Sequence, residues 1–238
     1  MVRKANRNYL DKGYVELYDL SSSTVSLNKL YETVGNLASI CYGNEEAKNP
    51  IELGKKLEKL GHLSVFEFIR SPEVRHGRCY YSGIKDSFRN TRRLLYNGKA
   101  HRCCIATFKI KAPIFVVRQL MRHRCFSFLE LSRRYTTHKK KPYEFYIPKD
   151  FPELVEAFYN HSVALYEELL AKGFKQEQAR IILPQSLYTE LWLQGDVECF
   201  QNFFALRLDE HAQYEIRELA KTMSLLLQEF QPEFGGGI

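Results

Sequence analysis

The chain has 238 residues, 45% of them hydrophobic and 13% aromatic, and a formal net charge of +7. That length and apolar content predict one large domain with a sizeable core and exclude a disordered or low-complexity chain. No segment is apolar for long enough to span a bilayer, and the start MVRKANRNYLDKGYVEL lacks the apolar run of a signal peptide. With six scattered cysteines, this predicts free thiols in a reducing cytoplasm.

Residues 13–20 (GYVELYDL) alternate and predict a first strand. Ser21–Thr24 supplies the N-cap of a helix reaching about Ile40, and Asn49-Pro50 opens a second that stops near Gly61. His62, Ser64 and Glu67 follow; on the residues alone His62 is a helix-end histidine. From Ile69 to Arg102 there are nine Lys/Arg and two acids, an excess equal to the net charge of the whole chain. This segment reads as a solvated basic excursion with a short helix over Ser87–Tyr96 closed by Asn97-Gly98. The functional alternative is a flap that draws in anionic ligands such as a folate polyglutamate tail or a nucleotide. His76, Cys79, His101, Cys103 and Cys104 are zinc-ligand types, but their spacing fits no standard finger, so no metal is assigned.

Ile105–Lys111 alternates as a half-buried strand, and Pro113 starts a helix from Ile114 to about Arg122. Tyr143–Ile147 reads as a returning strand. A long helix opens at Asp150, Pro152 and Glu153, carries Leu154, Phe158, Leu165 and Leu169 as its apolar stripe, and ends at Lys172-Gly173. A shorter helix, about Gln176–Leu183, is stopped by Pro184, and Leu187–Leu193 alternates as a further strand. Asp196 is placed as the cap of a helix through Phe204, and Asp209 as the cap of a last one to about Phe230. Several strands with long helices between and after them predict an α+β domain with a mixed or antiparallel sheet.

The stretch that organises the chain is Pro113–Tyr135, PIFVVRQLMRHRCFSFLELSRRY. Arg118, Arg122, Arg124, Arg133 and Arg134 interrupt apolar residues that call for burial, and Glu130 is the only carboxylate among them. Buried guanidinium groups need partners, and one carboxylate cannot satisfy five, so a phosphate-bearing ligand fits the excess. The bland alternative is a basic surface helix and loop.

Arg122-His123-Arg124, seven intervening residues and then Ser132 resemble the R-H-R-x7-S signature of the flavin-dependent thymidylate synthases. The similarity extends to Gln119, Glu130, Arg134 and Tyr135, and similar phrases recur in order around His62, around Arg180 (ARIILP) and in NFFALRLDEHAQYEI. The chain departs from the family at Leu129, where an asparagine is usual, and at Arg133, where a smaller residue is common. It departs also at Asp196 and Glu198, where the family prefers Asn and Arg, and in the insertion at about 69–102.

The resemblance implies one flavin-dependent thymidylate synthase-like domain over 1–238, assembled as a homotetramer with active sites between subunits. It implies FAD as cofactor, methylene-tetrahydrofolate as cosubstrate, NADPH as reductant, and conversion of dUMP to dTMP. FAD contacts then fall to His62, Ser64, Glu67, Arg122, His123, Arg124, Glu130, Asn202 and His211, with Ser39 a further match. Nucleotide contacts fall to Gln119, Arg122, Glu130, Ser132, Arg133, Arg134 and Arg207, with Arg180 from a neighbouring subunit. Arg207 is implied to be catalytic, stabilising negative charge at the uracil edge so that C5 becomes nucleophilic. On the residues alone, an ion pair of Arg207 with Asp209 or Glu210 explains it as well. Two other functions stay open: the same chemistry on UMP, another pyrimidine nucleotide or to a hydroxymethyl product, and a non-catalytic homologue that binds nucleotides or nucleic acid.

Overall fold

A computed structural model describes residues 2–19, 27–68, 70–75, 78–83, 93–94, 105–136, 140–150 and 152–230. Among these the strands are β1 (Val2–Tyr9), β2 (Gly13–Asp19), β3 (Arg70–Arg75), β4 (Arg78–Gly83), β5 (Arg93–Leu94), β6 (Ile105–Pro113), β7 (Ser127–Glu130) and β8 (Tyr188–Asp196). The helices are α1 (Leu27–Ser39), α2 (Pro50–Lys59), α3 (Ile114–Leu120), α4 (Pro152–Ala171), α5 (Gln176–Ala179), α6 (Val197–Arg207) and α7 (Tyr214–Phe230). Short 3-10 turns cover Ile40–Tyr42, Leu63–Phe68 and Arg180–Ile182.

The framework is an antiparallel five-stranded sheet in the order β1-β2-β6-β8-β7. Its centre is the pair β6 and β8, which runs in register from Ile105↔Asp196 to Pro113↔Tyr188. Alternation turns Ala106, Phe108 and Ile110, with Leu191 and Leu193, towards one face. There Phe200, Phe203 and Phe204 of α6, the apolar stripe of α7 and Val116, Val117 and Leu120 of α3 close the main core. On the other face Trp192 and Leu129 meet Val34, Leu37 and Ala38 of α1, Leu57 of α2, and Val65, Phe66 and Phe68. A third cluster joins Tyr143, Phe145 and Leu187 to Tyr159 and Tyr166 of α4. The α+β class is as expected, with the sheet antiparallel rather than mixed.

Helices α1 and α2 lie with their backbones in contact through two glycines. A Cβ on Gly35 would stand 2.0 Å from the Pro50 carbonyl oxygen, and one on Gly54 would stand 2.4 Å from that of Tyr31. This approach fixes where the chain leaves α2 for His62 and the Leu63–Phe68 turn.

Several expectations are corrected. The strand at 13–20 is not the first, because the polar Val2–Tyr9 pairs with it. Tyr143–Ile147 makes only the isolated bridge Phe145↔Leu187, since the place beside β8 is taken by Ser127–Glu130, which had been absorbed into the arginine-rich motif. A helix across Ser87–Tyr96 is contradicted at Arg93 and Leu94, which pair with Tyr80 and Cys79 in a small antiparallel sheet with β3. Asp209 does not cap α7, which starts at Tyr214; its Oδ1 accepts the His211 backbone N–H at 2.8 Å instead. In α4 the buried side chains are Tyr159, Ser162 and Tyr166, while Leu154 is 77% and Phe158 56% exposed. Of the expected stripe, Leu154, Phe158 and Leu165 therefore face outward, while Leu169 packs against the third cluster. The cap at Ser21–Thr24 and His76, His101, Cys103 and Cys104 lie outside the described residues. No described helix is long and apolar enough to cross a membrane.

Candidate active site

Helix α3 stops at Leu120, and a chain of tight turns follows. The His123 N–H donates to the Leu120 carbonyl at 3.1 Å, and the Phe126 N–H to that of His123 at 3.2 Å. These turns leave Arg122 and Arg124 exposed on either side of His123, which is only 6% exposed. They also deliver Ser127–Glu130 to the edge of β8. Past the strand, the Leu131 N–H bonds to the Glu190 carbonyl at 2.8 Å and the Ser132 N–H to the Cys41 carbonyl at 3.3 Å, so the following loop is held at both ends.

Between α3, the end of β7, the Arg180–Ile182 turn and the start of β8 lies a cavity of about 540 Å³. Its lining includes Arg118, Arg133 and Arg180, the hydroxyls of Ser132 and Thr189, and a single carboxylate, Glu130. Arg133 is 8% exposed. Its Nη2 donates to the Tyr188 carbonyl at 3.0 Å, and its guanidinium lies 4.7 Å over the Tyr143 ring. Its Nε and Nη1 have no hydrogen-bond partner among the described residues. The neighbouring carboxylate Glu190 is engaged by Lys141 and, at 3.9 Å, by Lys109.

Burial works against the Arg133 charge, offset by Tyr143, Glu190, Tyr166 and Glu130 around it. Burial likewise raises the Glu130 carboxyl above its ordinary value, while the Thr189 hydroxyl and then Arg133, Arg118 and Arg180 pull it back. The cavity thus has a cationic excess and hydroxyl donors at one carboxylate, a set that suits a phosphate-bearing ligand with a polar ring.

A second group sits at the other end of the arginine-rich stretch. Arg207, the last residue of α6, donates from Nε to His123 Nε2 at 3.0 Å. The His123 ring stands edge-on to Phe203 at 5.0 Å and tilted against Phe126 at 6.4 Å. Burial and then the Arg207 charge hold the imidazole below its ordinary pKa. Arg207 forms no ion pair among the described residues. Asp209 bonds the His211 backbone N–H, and the Glu210 carbonyl accepts from Arg217 at 2.6 Å.

The remaining residues singled out in the sequence are spread around these two groups. Gln119 donates to Gln213 Oε1 at 2.7 Å. Arg134 is exposed, 3.7 Å from Glu177. His62 and Ser64 are exposed on the turn that packs against β7; Glu67 is on the same turn. Asn202 and His211 are exposed near the end of α6 and in the loop after it. Ser39 is buried, its hydroxyl donating to the Asn36 carbonyl at 2.7 Å. Leu129 packs with Val65, Phe66, Phe68 and Trp192, an apolar setting that accounts for a leucine there. The resemblance implies Arg180 from a neighbouring subunit; here it lines the cavity of its own chain.

Arg118, which the resemblance gives no specific contact although it is one of the five arginines that call for a phosphate, and Thr189 also line the cavity. The position of Arg118 one turn before Arg122 on α3 was a usable signal; nothing in the sequence marks Thr189. Arg122 and Arg124 have no carboxylate partner among the described residues and, like His62 and Ser64, are exposed. Those residue types fit a diphosphate-containing cofactor such as a flavin dinucleotide.

A family model described as "Thymidylate synthase complementing protein" matches residues 96–233. The flavin-dependent thymidylate synthase of Thermotoga neapolitana is 32% identical over 235 residues, covering 94% of this chain and 89% of that protein. That of Thermosipho africanus is 38% identical over 151 residues, 54% of this chain and 65% of that protein. Among solved structures, a UMP/dUMP methylase PolB from Streptomyces cacaoi bound with 5-Br UMP superposes with a TM-score of 0.48 at 29% identity. It covers 54% of this chain and 69% of that one, too loose an overlap to add to the argument. The family match over more than half of the chain and a relative spanning nearly all of it show that this chain belongs to the flavin-dependent thymidylate synthase family.

Proposed function

We propose that the chain converts dUMP to dTMP, taking a one-carbon unit from methylene-tetrahydrofolate, with FAD as its flavin and NADPH as the reductant. The observation that carries this reading is the cavity in which Arg118, Arg133, Arg180, Ser132 and Glu130 converge. Its size is that of a small-molecule site, and its donors match a nucleoside monophosphate. In this reading Arg118, Arg180, Ser132 and Arg133 hold the nucleotide with Gln119 and Arg134 beside them, and Glu130 limits the cation excess. Arg122, His123, Arg124 and the exposed His62 and Ser64, with Asn202, His211 and Glu67, hold the flavin. When bound, the flavin supplies two-electron redox chemistry.

The chemistry asks that C5 of the uracil ring attack an electrophilic carbon and then lose its proton. Arg207 serves that step by placing positive charge where the ring accumulates negative charge, an effect larger in the transition state than in the bound ground state. Its fork has no competing carboxylate among the described residues, which favours this role over the ion pair. The whole chain acts as one catalytic domain, with segment 69–102 as a basic appendage, in a cytoplasmic homotetramer.

The test is direct. Purified protein is expected to be yellow or to take up FAD, and to form dTMP from dUMP, folate and NADPH. Protein that binds no flavin at any concentration sinks the reading, and methylation of UMP in preference to dUMP corrects the acceptor.

A further inference from the structure

We propose that His123 is a positioning residue for Arg207: its neutral imidazole accepts the Arg207 Nε–H through Nε2 and so aims the free Nη1/Nη2 edge of the guanidinium, and protonation of the ring releases it. This inference rests on the reading of Arg207 as the catalytic arginine, and assigns His123 a task separate from contact with a cofactor.

The geometry carries it. At 3.0 Å from an arginine Nε, which can only donate, His123 Nε2 must be the lone-pair nitrogen, so the ring proton resides on Nδ1. Arg207 sits on the last turn of α6, which holds no carboxylate, and the histidine is its one side-chain partner among the described residues. The imidazole is in turn fixed by its surroundings, since Phe203 of α6 and Phe126 of the turn before β7 pack against it and the ring is nearly buried. A side chain anchored at one nitrogen by a fixed ring keeps few rotamers, and pre-organised donors are what electrostatic catalysis requires.

Protonation has a definite consequence. It removes the acceptor and sets two cations at hydrogen-bonding distance between apolar walls. Arg207 is the charged group from a packed element that acts on the ring; Phe203 and Phe126 are uncharged, and the sequence neighbours Arg122 and Arg124 point to solvent. No described carboxylate stabilises the imidazolium. The ring therefore stays neutral to a lower pH than an ordinary histidine, and the arrangement fails on the acid side.

The experiment has a spectroscopic and a kinetic arm. In ¹⁵N-labelled protein without ligands, His123 is expected as the Nδ1-protonated tautomer, with a slowly exchanging Arg207 Nε–H signal. Lowering the pH should abolish that signal in step with His123 protonation, with a midpoint below the ordinary histidine value of about 6.5. Turnover per bound flavin should fall along the same acid limb. His123→Gln keeps an acceptor that cannot titrate, so its activity should lack that limb; His123→Phe keeps ring volume without an acceptor and should lose turnover about 10-fold or more at every pH. An Nε2-protonated His123, an unchanged acid limb in His123→Gln, or equal turnover of the Gln and Phe variants overturns the proposal. Normal turnover in Arg207→Ala overturns instead the reading it rests on.

Discussion

Two ionisable groups carry the expectations at the scale of single residues. Removing a charge-stabilising donor of the kind proposed for Arg207 costs about 10²–10³ in rate. Arg207→Ala is thus expected to lose most product formation while melting like the wild type and still binding flavin. Arg207→Lys should recover only part, because an ammonium cannot present a planar fork. Single-turnover rates and thermal melts on both variants check this; a destabilised but catalytically normal Arg207→Ala protein would return the residue to a structural role. Glu130 gives a pH-dependent expectation. Its carboxyl is raised by burial, so it favours the folded state when protonated, and that contribution is lost as pH rises through its folded value. Glu130→Gln should therefore raise the melting temperature of the unliganded protein at neutral pH. The gain should fade towards the unfolded carboxylate value of about 4.3, with activity reduced throughout. A gain independent of pH would remove burial as the cause.

Among the elements, legibility followed period. β6 and β8 were readable because alternating side chains face two different covers, as Phe108 and Ile110 do against Thr107. β1 was not, because VRKANRNY is an edge strand mostly exposed on both faces and has no apolar period to read. The site was legible as a composition of arginines but not as a geometry. Arg133 and Arg134 are adjacent and chemically identical, yet one is buried over Tyr143 and the other is exposed, a division made by the turn after β7. The link from His123 to Arg207 joins residues 84 positions apart and has no sequence signal. The α1–α2 contact was likewise hidden, since each glycine looks ordinary alone. Gly54→Ala puts a methyl into the Tyr31 backbone and should cost about 1–3 kcal/mol, as overpacking does, with displacement of the His62 segment weakening flavin uptake. Urea melts and flavin titration check both; a neutral variant would show that the helices separate freely.

For the molecule as a whole, the outward stripe of α4 suggests what one chain alone leaves incomplete. Leu154, Phe158 and Leu165, with Ile181 at 81% exposure, form apolar surface that is costly to leave in water. Sedimentation of the wild type is expected to give a tetramer. The double variant Leu154→Glu/Phe158→Glu should give smaller species with unchanged far-UV circular dichroism, because neither side chain supports the core of its own chain. Wild-type sedimentation of that variant would place the subunit contact elsewhere.

The buried Arg133 guanidinium has a consequence beyond recognition. Two of its nitrogens were withdrawn from water without receiving a described protein acceptor, so the fold carries a free-energy cost that an anion bound in the cavity beside Arg133 is expected to offset through its charge. Folding and ligand binding are then thermodynamically linked. A nucleoside monophosphate at about 100 times its Kd should stabilise the protein by about 2.7 kcal/mol. Inorganic phosphate should raise the melting temperature where chloride at equal ionic strength does not, and Arg133→Met should melt higher than the wild type in chloride yet gain less from phosphate. If both proteins respond alike to phosphate, the linkage runs through the exposed arginines alone. If it holds, the substrate is in effect the last packing partner of this chain, and the amount of folded enzyme in a cell follows the supply of the nucleotide it consumes.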